Sequence, residues 1–187
     1  MSFNIHDFQG AINKTGYSKL AHFEGRVTTP PSMSANTRDL SLRILNMPLP
    51  GRVIRSSEFF MYGPEQKIAT LANYADISMI ILLSTDLKER DIILQWQDLI
   101  VGNYREEAAY TPSMFDHGYY DEYIGNLEID IFDEAQKVKK TLRFEEAIPI
   151  AVGDITYDWS SQDFATLPVT WSYHRFYEKP LSTASEG

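Results

Sequence analysis

The chain has 187 residues, no cysteine, 13% aromatic residues and a formal net charge of −9. That length suits one domain with a real core, and the lack of cysteine excludes disulfides and thiolate metal sites. An acidic chain is also a poor candidate for gripping nucleic acid, because phosphate affinity comes from Lys and Arg.

The charge is polarised. Residues 1–56 hold 7 Lys+Arg against 3 Asp+Glu, a net +4, while residues 57–187 hold 10 against 23, a net −13. A solvated acidic surface is one reading. A head-to-tail contact between the basic and acidic faces of neighbouring copies is the other, and such heterologous contacts build rings or filaments. No basic stretch followed by an apolar run opens the chain, and no segment approaches the roughly 18 apolar residues of a membrane span. A soluble protein of a reducing compartment is expected.

Residues 1–20 form an expected N-terminal arm with a short helix, where Ile5, Phe8 and Ile12 share a face between Asn4 as cap and Gly16 as stop. Residues 23–27 read as a strand and residues 28–36 as a loop broken by Pro30 and Pro31. Leu40, Leu42 and Ile44 alternate with polar residues, so a strand is expected over 40–46, ended by Pro48 and Pro50. Residues 53–62 and 75–83 are two extended runs, expected to pair as a long hairpin with Gly63 and Pro64 at its tip and the mixed segment 68–74 between. An alternative is a mobile arm that orders only on a neighbour. The run 77–83 is the most apolar and should be central.

A helix is expected over 86–101. Asp86 and Glu89 have capping-box spacing, Ile92, Ile93, Trp96, Leu99 and Ile100 make one buried face, and Gly102 stands where a helix-ending glycine belongs. Such a helix would cover a sheet edge or plug the end of a barrel. Residues 103–118 form a Tyr-rich loop, followed by a second hairpin of residues 120–133 and 137–144. In the C-terminal third, Ile155, Tyr157 and Trp159 alternate with polar residues, as do Leu167, Val169, Trp171 and Tyr173. With Ser160, Ser161, Gln162 and Asp163 between them as turn chemistry, two paired strands with a core beneath their apolar faces are therefore expected. The domain should span 1–177, with a flexible tail over 178–187.

Catalytic and metal patterns fail. His6, His22, His117 and His174 form no HxxxH or HExxH spacing. Asp154, Thr156, Asp158 and Ser160 resemble the start of a calcium loop, but Trp159 stands where its glycine is needed and Ala165 where its bidentate Glu is needed. There is no glycine-rich phosphate loop and no nucleophile elbow. The acceptor triplet at Asn13 means nothing without a secretion signal. Adjacent carboxylates such as Asp121/Glu122 and Glu145/Glu146 are what 26 acidic residues produce by chance. No enzyme, cofactor or metal is expected, and the profile is that of an assembly component.

Several segments in one order carry a family resemblance: Pro48 to Arg52, Phe59 to Ile68, Tyr74 with Asp76 to Ser78, Trp96 to Ile100, Gly118 to Gly125, and Asp158-Trp159-Ser160-Ser161 followed by Leu167 to Tyr173. Together, over roughly residues 40–176, they resemble the tail tube proteins of contractile-tailed (T4-like) bacteriophages. The resemblance implies a mainly β fold, two packed antiparallel sheets forming a barrel-like sandwich with one flanking helix. It further implies hexameric rings of identical copies stacked head to tail into a hollow tube inside a contractile sheath. The implied partners are further copies of the chain, the tail sheath protein, the baseplate hub and the tape-measure protein, with DNA only as passing cargo and no membrane. The implied location is the virion, after assembly in the host cytoplasm. On this resemblance Arg52, Arg55, Tyr62, Gly63, Pro64 and Lys67 belong to an arm that contacts the adjacent ring or subunit. A baseplate or tail-terminator protein of the same fold, a tube subunit of a cellular contractile injection system, and a small β-sandwich hydrolase are the competing readings.

Overall fold

The computed structural model describes residue 5 and residues 18–33, 35–60, 63, 65–102, 118–160 and 162–179. In chain order the elements are β1 (Phe23–Thr28), α1 (Thr37–Leu42), β2 (Ile44–Asn46), β3 (Arg52–Phe59), β4 (Gln66–Tyr74), β5 (Ile77–Leu82), α2 (Lys88–Ile100), α3 (Tyr120–Tyr123), β6 (Gly125–Phe132), β7 (Val138–Val152), β8 (Thr166–Ser172) and β9 (Arg175–Lys179). The expected N-terminal helix, apart from residue 5, lies outside the described residues.

The main sheet runs β1-β6-β7-β8-β5-β2, with β9 also on β7, and every pairing is antiparallel. β7 organises it. Its first part pairs with β6 on one side and β9 on the other, and its last part pairs with β8. The 15 residues of β7 therefore belong to both layers of a barrel-like sandwich. Alternation decides which side chains meet inside. Val27, Leu127, Ile129, Leu142 and Phe144 come from one layer, and Ile77, Met79, Ile81, Leu167, Val169 and Trp171 from the other. The expected alternation of Leu167, Val169, Trp171 and Tyr173 is present, all four being buried.

Where β1 and β2 close toward each other the inward residue is Gly25, and a Cβ there would lie 2.8 Å from Ile44 Cδ1. α1 bridges the seam. Ser41 Oγ accepts from the Val27 amide at 3.1 Å and donates to the Thr37 carbonyl at 2.8 Å. The barrel is nearly closed at this seam, which hides edges that would otherwise be open to aggregation.

α2 packs beside β7 and buries Ile93 and Trp96. Trp96 Nε1 donates to the Tyr123 carbonyl at 2.6 Å, and its ring meets Trp171 edge-on with centroids 5.3 Å apart. A Cβ on Gly125 would sit 2.4 Å from both the Thr28 carbonyl oxygen and Trp96 Cη2, so only glycine lets β6 start there. Gly125→Ala is expected to cost about 3 kcal/mol, as overpacking against backbone does, read as a lower urea midpoint at unchanged slope.

Five expectations need correction. Residues 40–46 are not one strand. Asn36 Oδ1 accepts from the Arg38 amide, α1 occupies 37–42, and Leu42 is exposed while Leu40 is buried. β5 is not the partner of β3. It lies inside the sheet between β8 and β2, while β3 pairs with β4, the segment read as mixed. Tyr120–Tyr123 is a helical turn, so the second hairpin starts at Gly125. It is fixed by Tyr120, whose hydroxyl donates to Glu146 at 2.6 Å, a bond that, with burial, pushes the phenol up to about 12. Residues 155–159 are not a strand: the Gly153 amide turns back to the Pro168 carbonyl, and Asp158 accepts from both the amide and the hydroxyl of Ser160. That local turn competes with sheet pairing. At the C-terminus β9 extends through Glu178 and Lys179, two residues into the expected tail.

The expected capping box between Asp86 and Glu89 does not form, and the cap position has no side-chain hydrogen bond. Glu89 does reach back, but to Ser84, accepting from its amide at 2.9 Å and its hydroxyl at 2.8 Å, while Asp86 pairs with Lys88. Leu87 occupies the cap position in a left-handed conformation, φ 55°. Arg43 Nε lies 3.1 Å from the buried Glu89 carboxylate, tying the α1–β2 corner to α2. Burial raises the Glu89 carboxyl, but the Ser84 bonds and Arg43 outweigh it and hold it below the ordinary 4.5. A lowered folded-state pKa stabilises the fold above the unfolded value and loses that contribution as pH falls through the folded one. The melting temperature of the native chain should therefore fall with acidification below pH 4.5 more steeply than that of Glu89→Gln, whose site does not titrate.

Candidate functional site

β3 and β4 stand apart from the main sheet as a two-stranded ribbon. All of β3 is exposed, and so is β4 up to Asn73. A lone two-stranded ribbon is marginal in water, so what its faces carry matters. The register sets Arg52 opposite Tyr74, Arg55 opposite Leu71 and Glu58 opposite Lys67, with Thr70 as an extra residue whose hydroxyl donates to the Arg55 carbonyl at 3.0 Å. Strand alternation then sorts the side chains. One face presents Val53, Arg55, Phe59, Ile68 and Leu71, and the other Arg52, Ile54, Glu58, Lys67 and Tyr74. The four apolar members of the first face are each at least 50% exposed. An exposed apolar stripe of this kind is a surface that a partner could cover.

The structure distributes the expected contact residues along this ribbon. Arg52 sits at its root, with its guanidinium carbon 5.8 Å from the Tyr74 ring centroid and 5.7 Å from that of Phe176. It fastens the ribbon to its own body by stacking on two rings. Arg55 is further out on the apolar face, and among the described residues no carboxylate forms an ion pair with it. Lys67 lies 3.7 Å from Glu58 across the ribbon. Gly63 holds the tip with φ +96°, a conformation that favours glycine. Tyr62 and Pro64 lie outside the described residues.

A second exposed surface is wider than the turn expected over residues 160–163. The connection between β7 and β8, residues 153–165, exposes Tyr157 at 70%, Phe164 at 84% and Trp159 completely. The turn chemistry of Ser160 and Gln162 extends back through Asp158 and Asp154, so the whole connection is loop and not a buried strand.

Little else in the fold is arranged for chemistry. Among the described residues no group of three or more His, Asp or Glu is placed to hold a metal ion. His22 and His174 stand in different parts of the chain, and His6 and His117 lie outside the described residues. The charged groups instead pair across the outer face of one layer. Arg26 pairs with Asp130, and Glu128 lies 2.7 Å from Lys179 and 3.7 Å from Arg143. No helix among the described residues is long and apolar enough to cross a membrane.

A protein-family model described as "Phage tail tube protein" matches residues 7–179. No curated protein sequence matches significantly. Among solved structures, a chain of the sheath–tube complex of the extracellular contractile injection system PVC, in its extended state, is similar at TM-score 0.59 and 11% identity, covering 96% of this chain and 100% of that one. A chain of the PVC sheath/tube terminator is similar at TM-score 0.61 and 12% identity, covering 89% and 99%. A chain of the anti-feeding prophage baseplate is similar at TM-score 0.57 and 14% identity, covering 88% and 97%. At these identities the solved structures establish the shared fold. The family match extends over nearly the whole chain, and the chain belongs to the phage tail tube protein family, as a structural protein and not an enzyme.

Proposed function

We propose that this chain is the repeating subunit of the inner tube of a contractile tail: six copies close a ring, rings stack head to tail, and the lumen conducts DNA during ejection. The observation that carries the reading is the ribbon, whose apolar face is left in water by its own body and is ready to be covered by another copy. Closing sheets side by side around a ring also removes their remaining edges. The net charge of −9 supports the conduit role, since an acidic wall repels phosphate and lets DNA slide without sticking. Folds similar to this one occur in a sheath–tube complex and in a baseplate, which supports a sheath protein and a baseplate hub as partners and a virion or phage-like particle as the location. The tape-measure protein is the further partner of this reading, occupying the lumen before DNA. Assembly takes place in the host cytoplasm.

A tube-terminating role is the second reading, because the same fold occurs in a sheath/tube terminator. Negative-stain electron microscopy across concentration, with and without a baseplate seed, separates the two. Hollow tubes or stacked sixfold rings are expected. Rings that never stack when seeded would transfer the chain to the terminator class.

A further inference from the structure

We propose that the surface receiving the ribbon of one copy is the aromatic loop 153–165 of a second copy, together with the groove beside that loop. This rests on the stacking reading and names its contact. Three observations converge on it.

The first is position. The ribbon joins the body at the Ile77 end of β5, through residues 75 and 76. The loop closes the opposite end, where Leu82 pairs with Thr166 and the Leu83 amide donates to the Ala165 carbonyl at 3.0 Å. The two features are thus rooted at opposite ends of one strand, roughly 17 Å apart at about 3.3 Å per residue. Surfaces so placed meet between copies in a heterologous, repeating contact, which propagates as a stack.

The second is the match of apolar surface. Trp159, Tyr157 and Phe164 are exposed on the loop, and Val53, Phe59, Ile68 and Leu71 on the ribbon. Beside the loop a groove of about 700 Å³ opens between Leu94 of α2, Ile150 of β7 and Tyr157, wide enough to take side chains of a strand edge. Aromatic anchors of this kind carry most of the energy of protein interfaces.

The third is charge. Residues 153–165 contain Asp154, Asp158 and Asp163 and no Lys or Arg. The ribbon brings Arg55 on its apolar face, beside the aliphatic stripe. The groove adds one cation, Arg90, so the receiving surface still carries more carboxylates than cations. Arg55 finds opposite charge on the loop, whereas a loop-to-loop contact would set three carboxylates against three.

The cysteine-free chain allows a direct test. Ser57→Cys places a thiol on the apolar face of the ribbon, and Ser160→Cys places one next to Trp159. The two single variants, mixed and assembled, are treated with a short bis-maleimide and mapped by peptide mass spectrometry. A link between positions 57 and 160 is expected in the mixture, and a covalent ladder from the double variant. In parallel, acrylamide quenching reports on Trp159, because Trp96 and Trp171 are fully buried. Quenching should fall several-fold on assembly. Tubes that form with only 57-to-57 or 160-to-160 links, or with Trp159 as quenchable as in the free chain, overturn the proposed contact and leave the tube reading standing. If no tubes or stacked rings form even with a seed, the stacking reading fails and takes the contact with it.

Discussion

Replacing Ile68 and Leu71 of the ribbon by serine is expected to leave the chain folded and to weaken its assembly about a hundredfold. Both side chains are more than half exposed and contribute nothing to the body's core. Surface substitutions of this kind usually change stability by less than about 0.5 kcal/mol, a shift of roughly 2 °C or less for a domain of this size. Assembly is another matter. If the stripe is buried between copies, each truncation removes an interface contact worth about 1.5 kcal/mol. Together they cost about 3 kcal/mol per contact, or roughly a hundredfold in its equilibrium constant. The critical concentration for tube formation, measured by sedimentation and checked by microscopy, should rise to match. An unchanged critical concentration would show that the stripe stays in water in the tube and that the ribbon is not the contact.

Trp96→Ala is predicted to be the most damaging single change to the fold itself. The side chain is fully buried, stacks edge-on against Trp171 and forms the wall that Gly125 accommodates. Truncating a buried tryptophan typically costs 3–5 kcal/mol through lost transfer energy and the cavity left behind. The Tyr123 carbonyl also loses its donor. Melting should drop by roughly 10 °C, followed by near-ultraviolet circular dichroism. Trp96→Phe keeps most of the apolar volume and should recover more than half of the loss. A loss below about 1 kcal/mol for the alanine variant would mean that α2 is not part of the cooperative fold.

The sequence was most readable where a side chain's cover comes from its own chain. Leu167, Val169, Trp171 and Tyr173 alternate and are buried, and Ile93 and Trp96 mark the inner face of α2, because in each case the period of the element and the position of the core agree. The failures are physical too. Ile155, Tyr157 and Trp159 alternate as well as any half-buried strand, yet they lie in a loop and Trp159 is fully exposed. Periodicity records that a face is apolar, and it is silent on which molecule covers that face. β4 was missed because Ala69 and Ala72 are weak strand formers and the bulge at Thr70 interrupts the alternation. The helix over 37–42 was missed because Leu40 and Leu42 mimic a strand, and only the Asn36 cap and the Ser41 bridge to β1 reveal the turn. Among the proposed contact residues, Arg55 and Lys67 lie on the ribbon, as their position in the chain suggests. The rings that hold Arg52 at its root could not be foreseen, since Phe176 is 124 positions away in sequence.

The shared strand β7 has a mechanical consequence. Its hydrogen bonds to β6, β8 and β9 lie across the strand direction. A pull applied along β7 must therefore shear many of them at once, whereas a pull across it would peel them one after another. A subunit whose two layers are fastened through one such strand is stiff along that axis and weak across it, so it withstands a sudden axial load better than a sideways one.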